Sequence, residues 1–221
     1  MIVGSGLIAK AFEKYNYDND VLIFSSGVSN SKENRSSEFE REEKLIKEYI
    51  NINKKFIYFS TVSVVDGSKN SPYIEHKLNI EKFISENHNN YLIFRLPIVV
   101  GINSNKVTFF NTIKNKIINN EVIDIYNVKR YLIDIDDLSS TLPIIIDDKN
   151  ERNKTINVCY DNFTTVIDIL NKMEFFLKTN SPKNFIESDS NYEVDNHFFK
   201  TKFPLDYYDY NDRLIEKYSK I

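Results

Sequence analysis

The sequence predicts an α/β fold with a parallel sheet flanked by helices. Three observations lead there. Short apolar runs, Val21–Phe24, Phe56–Phe59 and Tyr91–Phe94, alternate with segments of helical period. A Gly-x-Gly turn follows the first apolar residues. A well-marked helix start, Ser71-Pro72, closes the loop after the Phe56 run. Strands are expected near 1–4, 21–25, 56–60 and 92–95.

Met1-Ile2-Val3 leads into Gly4-Ser5-Gly6-Leu7-Ile8-Ala9, a G-x-G-x-x-A form of the dinucleotide fingerprint. Its glycines let backbone approach a pyrophosphate at the start of a helix. Leu7, Ile8, Ala11 and Phe12 give that helix an apolar face. The plainer reading is a tight strand-to-helix turn. Asp20 precedes the next strand, which runs into Ser25-Ser26-Gly27. No acid ends it, so it lacks the residue that holds an adenosine ribose in a full dinucleotide half-domain. Ser37 and Glu40 have capping-box spacing, and Phe39, Ile46 and Ile50 share one face of the helix that follows.

Phe56-Ile57-Tyr58-Phe59 ends in the hydroxyl cluster Ser60, Thr61 and Ser63, and Asp66-Gly67 is a turn. The helix opened by Ser71-Pro72 carries Tyr73 and Lys77 on one face. A nearby ammonium stabilises tyrosinate. The phenol can then exchange a proton with a carbonyl or an alcohol, and a hydroxyl such as Thr61 can hold the same oxygen. Chance alone supplies about one or two Tyr-x-x-x-Lys pairs in a chain of this composition, so the pair counts only in this setting.

Further on, Tyr91–Gly101 reads as a strand and loop containing Arg95, Pro97 and Val99. Arg95 has a sheet-end ion pair as its alternative role. Val107–Asn119 is helical by period. Arg130–Leu138 contains Asp136-Asp137, which reads as a helix cap and first-turn acid; a metal site would need more converging oxygens. Lys154–Cys159 is strand-like, and Thr164 is placed to cap a helix on Val166, Ile169, Leu170, Met173 and Leu177. The tail carries Phe198, Phe199, Tyr207, Tyr208 and Tyr210. Core packing or an oligomer contact accounts for such a stripe more simply than base stacking.

Composition sets the outer bounds. At 221 residues the chain is one domain with an appendage. A net charge of −3 argues against a nucleic-acid surface. One cysteine, Cys159, excludes an internal disulfide and fits a reducing, cytoplasmic compartment. No apolar run approaches a membrane span, and Lys10 and Glu13 interrupt the apolar N-terminus, against a signal peptide. His76, His88 and His197 lack metal-ligand spacing, so no metal is expected.

Taken in order, these motifs resemble the extended short-chain dehydrogenase/reductase superfamily, in its nucleotide-sugar branch. Ser60-Thr61-x-x-Val64-x-Asp66-Gly67 resembles the STDxVFDG segment of dTDP-4-dehydrorhamnose reductases. Tyr73-x-x-x-Lys77-x-x-x-Glu81 resembles the branch's Y-x-x-x-K-x-x-x-E helix, Leu92–Gly101 its LRLPNVYGP strand and loop, and Arg130–Leu138 its RDFIHVDDL segment. The resemblance covers about Met1 to Leu170. It implies a Rossmann-like sheet with a small substrate lobe formed by about 103–130 and 181–221. It implies a catalytic triad of Thr61, Tyr73 and Lys77. It places an NAD(P)(H) cofactor on Gly4, Ser5, Gly6, Leu7, Ile8, Ser25, Ser26, Gly27, Tyr73, Lys77, Pro97 and Val99. It places a nucleotide-diphosphate sugar on Ser63 and Arg130. Val62 and Ser63 stand where dehydratases carry Asp-Glu, which argues against a dehydratase. The expected activity is reduction of a nucleotide-linked keto-sugar. An epimerase, or a non-catalytic subunit that keeps the fold, is the alternative, and a homodimer is compatible with either. The 21–25 strand resembles the family's fourth, so two strand-helix units are missing. That leaves strand 1–4 at a sheet edge and removes the wall behind adenosine.

Overall fold

In the computed structural model, residues 1–67, 70–102, 108–126, 128–187, 192–205 and 208–220 are described. The chain runs β1 (Ile2–Val3), α1 (Leu7–Ala11), β2 (Val21–Phe24), α2 (Ser36–Tyr49), β3 (Lys55–Thr61), α3 (Pro72–Asn87), β4 (Tyr91–Leu96) and β5 (Ile98–Val100). It continues through α4 (Phe109–Ile118), β6 (Ile123–Tyr126), β7 (Lys129–Asp134), α5 (Ile135–Ile146), β8 (Lys154–Asn157) and β9 (Phe163–Thr165). The last elements are α6 (Val166–Leu177), β10 (Lys183–Ile186), α7 (His197–Lys202) and α8 (Tyr210–Ser219).

The main sheet has the order β1-β2-β3-β4-β8, with every pairing parallel. The four strands expected from sequence are its first four, and β1 lies at its edge. The strand runs show no polar alternation because both faces are covered. Successive residues point to opposite sides. Ile23, Ile57, Phe59, Leu92 and Phe94 join one core with α5 and α6. Leu22, Phe24, Phe56, Tyr58 and Ile93 join another with Ile46 and Ile50 of α2 and Ile80 and Ile84 of α3. Beside this sheet stand a three-stranded group, β5-β7-β9, and a two-stranded one, β10-β6.

Several local expectations need correction. The start of α2 is Ser36, with Arg35 at the N-cap and no side-chain cap. Glu33 fixes this start instead, accepting from the Asn34 and Arg35 amides and from the Arg35 guanidinium. Ser37 therefore lies inside the first turn. Thr164 is paired with Arg130 in the β7–β9 ladder, and the cap of α6 is Thr165, which accepts from the Asp168 amide at 3.2 Å. The local Glu33 turn moves the α2 cap by two residues, and the pairing with β7 moves the α6 cap by one. Val107, Tyr207 and part of the expected lobe, 103–107 and 188–191, lie outside the described residues.

No helix among the described residues is long and apolar enough to cross a membrane.

Candidate active site

The C-terminal end of β3 and the start of α3 build the centre of the site. Ser71 caps α3, its Oγ accepting from the Ile74 amide at 3.3 Å, and Pro72 presets the first helical residue. Tyr73 therefore falls in the first turn and Lys77 one turn later, and both are buried. Thr61 ends β3, where its Oγ1 accepts from the Ser63 amide at 3.2 Å, and its side chain is near enough to Tyr73 to ease that phenol's ionisation. The three expected catalytic residues thus meet.

They open onto a cavity of about 920 Å³. Gly6, Leu7 and Ile8 line one side with Ser25 and Gly27 from the loop after β2. Pro97, Val99, Ser63 and Arg130 line it as well. Three expected cofactor residues do not line it. Gly4 has φ +128°, and a Cβ there would come within 2.8 Å of the Ser25 backbone. Its glycine lets β1 pass close to the loop after β2. Ser5 is exposed and does not line the cavity, and Ser26 holds Arg41, whose guanidinium donates to the Ser26 carbonyl at 3.1 Å.

Sequence reasoning missed Glu42. It is fully buried on α2, and four groups converge on its carboxylate. Oε2 accepts from the Val28 amide at 2.6 Å and meets His76 Nε2 at 3.0 Å. Oε1 accepts from the Tyr58 hydroxyl at 2.6 Å and from Lys77 Nζ at 3.0 Å. Lys77 Nζ also donates to the Tyr58 oxygen at 2.8 Å. The signal was available: residue 42 falls on the apolar stripe of Phe39, Ile46 and Ile50, where an acid needs a buried partner.

The electrostatics follow from this packing. Burial works against the Glu42 carboxylate, but Lys77, His76, Tyr58 and the Val28 amide outweigh it and bring its pKa down to about 2. Burial lowers that of Lys77, with Glu42 opposing. Burial raises that of Tyr73; Glu42 adds to the rise, and the Thr61 side chain offsets part of it.

Arg130 donates to the Lys129 carbonyl at 3.2 Å and lies over the Phe109 ring at 5.6 Å. No carboxylate of the described residues forms an ion pair with it. The Thr108 Oγ1, in a residue that also lines the cavity, is buried without a hydrogen-bond partner among the described residues. Arg95 takes its structural alternative: it binds Glu81 bidentately, at 3.0 and 2.6 Å, and Ser60 Oγ donates to the same carboxylate at 2.5 Å. Asp136 and Asp137 stand in the first turn of α5, which Asp134 caps. No metal-binding group of three His, Cys, Asp or Glu occurs among the described residues.

No protein-family model matches this chain, and no curated protein matches it in sequence. Solved structures do match it. A dTDP-glucose 4,6-dehydratase from Bacillus anthracis, in complex with NAD, aligns with TM-score 0.68 and 13% identity over 99% of this chain and 78% of its own. A UDP-glucuronic acid 4-epimerase from Bacillus cereus, in complex with UDP-glucuronic acid and NAD, gives 0.71 and 19% over 98% and 80%. RMD from Pseudomonas aeruginosa, complexed with NADPH, gives 0.73 and 13% over 99% and 98%. At these identities the likeness is one of fold, and it is the Rossmann-like fold expected from sequence.

Proposed function

We propose that the chain is a shortened extended short-chain dehydrogenase/reductase that reduces a nucleotide-linked keto-sugar with NAD(P)H. The observation that carries this reading is convergence on one cavity. The Gly6–Ile8 turn, the Thr61/Tyr73/Lys77 set and Arg130 come from separate parts of the chain and line the same space. A pure scaffold has no need of that arrangement. The neighbours in fold include NAD and NADPH complexes and a complex with a UDP-sugar, which supports the same choice of ligands.

The residues fit a dinucleotide. Gly6 leaves open space where a Cβ would stand, so backbone at the turn can approach a pyrophosphate. Ser25 and Gly27, with Pro97 and Val99, flank the path to Tyr73. Lys77 Nζ donates to both Glu42 oxygens, at 3.0 and 3.3 Å, and to Tyr58; with the carboxylate contacts shared by one N–H, a donor is left for a ribose hydroxyl. A nicotinamide bound there supplies a hydride. Thr61 orients the substrate carbonyl. As the carbonyl carbon gains the hydride, the Tyr73 O–H bond breaks and its proton passes to the carbonyl oxygen. Water then returns a proton to Tyr73.

Arg130 suits a diphosphate because a guanidinium forks two hydrogen bonds to phosphate oxygens. Thr108 Oγ1 offers a further polar group without a partner among the described residues. An epimerase would use the same triad with the cofactor retained.

Calorimetry tests the reading. Wild-type protein should bind a nicotinamide cofactor and a nucleotide-diphosphate sugar at separate ends. Arg130→Ala should weaken the sugar nucleotide by about tenfold or more and spare the cofactor. Equal loss of both ligands would mark Arg130 as a structural residue.

A further inference from the structure

A lysine one turn from a tyrosine ordinarily lends it positive charge. Here the charge is met at source. Glu42 Oε1 lies 3.0 Å from Lys77 Nζ; Glu42 is fully buried, and Lys77 is buried at the wall of the cavity. The close approach over the pair is specific to glycine in the loop after β2. A side chain at Gly27 would come within 2.9 Å of both the carboxylate and the ammonium. Without water to screen it, the pair balances its own charge, and what Tyr73 meets beside it is close to neutral.

The other groups around the pair leave this balance in place. From α2, Arg41 opposes the Lys77 charge weakly. From α3, Glu81 favours it, but Glu81 is itself held by Arg95 and Ser60. His76 bonds the far oxygen of Glu42. From β3, Tyr58 bridges the two ions as a neutral phenol, since burial and Glu42 hold its ionisation well above the ordinary range. Thr61 is the one group that eases ionisation of Tyr73, and burial with Glu42 outweighs it.

We propose that Glu42 is a positioning residue that balances Lys77 and so keeps Tyr73 a phenol, setting the site to give a proton to a carbonyl oxygen instead of taking one from an alcohol. The direction of chemistry rests on the reductase reading above. The charge balance does not. In the reductive direction the phenol is the competent form over a wide pH range. The oxidative direction, or an epimerase's first step, must start from a rare tyrosinate.

Tyrosinate absorbance tests this without substrate or cofactor. The Tyr73 step is read as wild type minus Tyr73→Phe, up to the pH at which circular dichroism reports unfolding. Glu42→Gln keeps the shape and removes the charge. Its Tyr73 step, read against E42Q/Y73F, should appear at a proton concentration about tenfold higher or more than in wild type. Glu42→Asp, which keeps the charge, should stay close to wild type. Coincident steps in E42Q and wild type, or none before unfolding in either, overturn the proposal. So does tyrosinate at Tyr73 near neutral pH in wild type, a result that needs no variant at position 42. Failure to reduce any nucleotide-linked keto-sugar would instead remove the reductase reading and leave the titration to stand on its own.

Discussion

At the level of single residues, Tyr73 carries the sharpest prediction. Tyr73→Phe keeps the buried ring and removes the proton. Turnover of a keto-sugar substrate should fall by about 10²–10⁴-fold. Cofactor affinity should hardly change, and full activity in this variant would remove Tyr73 from the chemistry. Lys77→Met should damage both, because it removes the remaining N–H and strands Glu42 as an unpaired buried charge. Glu42 also makes stability depend on pH. Its folded-state pKa, about 2, lies below the ordinary carboxylate value. The stabilisation is therefore present above that ordinary value and is lost as pH falls toward about 2. Acid unfolding curves should be flatter for Glu42→Gln than for wild type over that window. Parallel curves would mean that another carboxylate controls acid unfolding.

At the level of elements, the start of α3 is where sequence and structure agree most closely. Ser71 caps it and Pro72 follows, and this local chemistry alone sets where Tyr73 and Lys77 stand. Ser71→Ala should cost about 1 kcal/mol. Ser37→Ala, exposed within the first turn of α2, should fall within about 0.5 kcal/mol of wild type. Denaturant midpoints compare the two, and a larger loss at Ser37 would restore it as a cap. The reason α2 departs from its capping-box signature is the Glu33 turn, which takes over two amides just ahead of the helix. The α6 start shifts for a similar reason: Thr164 is held in a strand pairing with Arg130 and leaves the cap to Thr165.

For the whole molecule, the consequence lies at β1. It pairs with β2 and ends the sheet, where a full dinucleotide-binding domain of this order continues with further strands. The described part of the aromatic tail packs elsewhere: α8 lies against α6 and β7, and Tyr210 bonds Asp137 and the Asp134 amide at the start of α5. On the proposed function, with no strand beyond β1 among the described residues, the wall expected behind adenosine is missing and cofactor affinity should rest on the Gly6 turn and the nicotinamide end. Titration should then give NAD and NADP within about tenfold of each other, or ~1.4 kcal/mol. A stronger preference for either would show a selective site for the ribose 2′ position.

The sequence by itself determined the parallel sheet, the strands that form it, the Ser71-Pro72 start and the Tyr73/Lys77 spacing. These are local properties, set by apolar runs, caps and the helical period, and they need no knowledge of distant residues. The edge position of β1 was also legible, because only one helix separates Val21–Phe24 from Phe56. Only the tertiary structure decided that Gly4 serves a close backbone approach and does not line the cavity, and that Arg95 belongs to Glu81. It alone also decided that Lys77 is balanced by a carboxylate 35 residues away in the chain. Such contacts join separate elements across the sheet. Their partners are chosen by burial, which leaves a charged group no water to turn to.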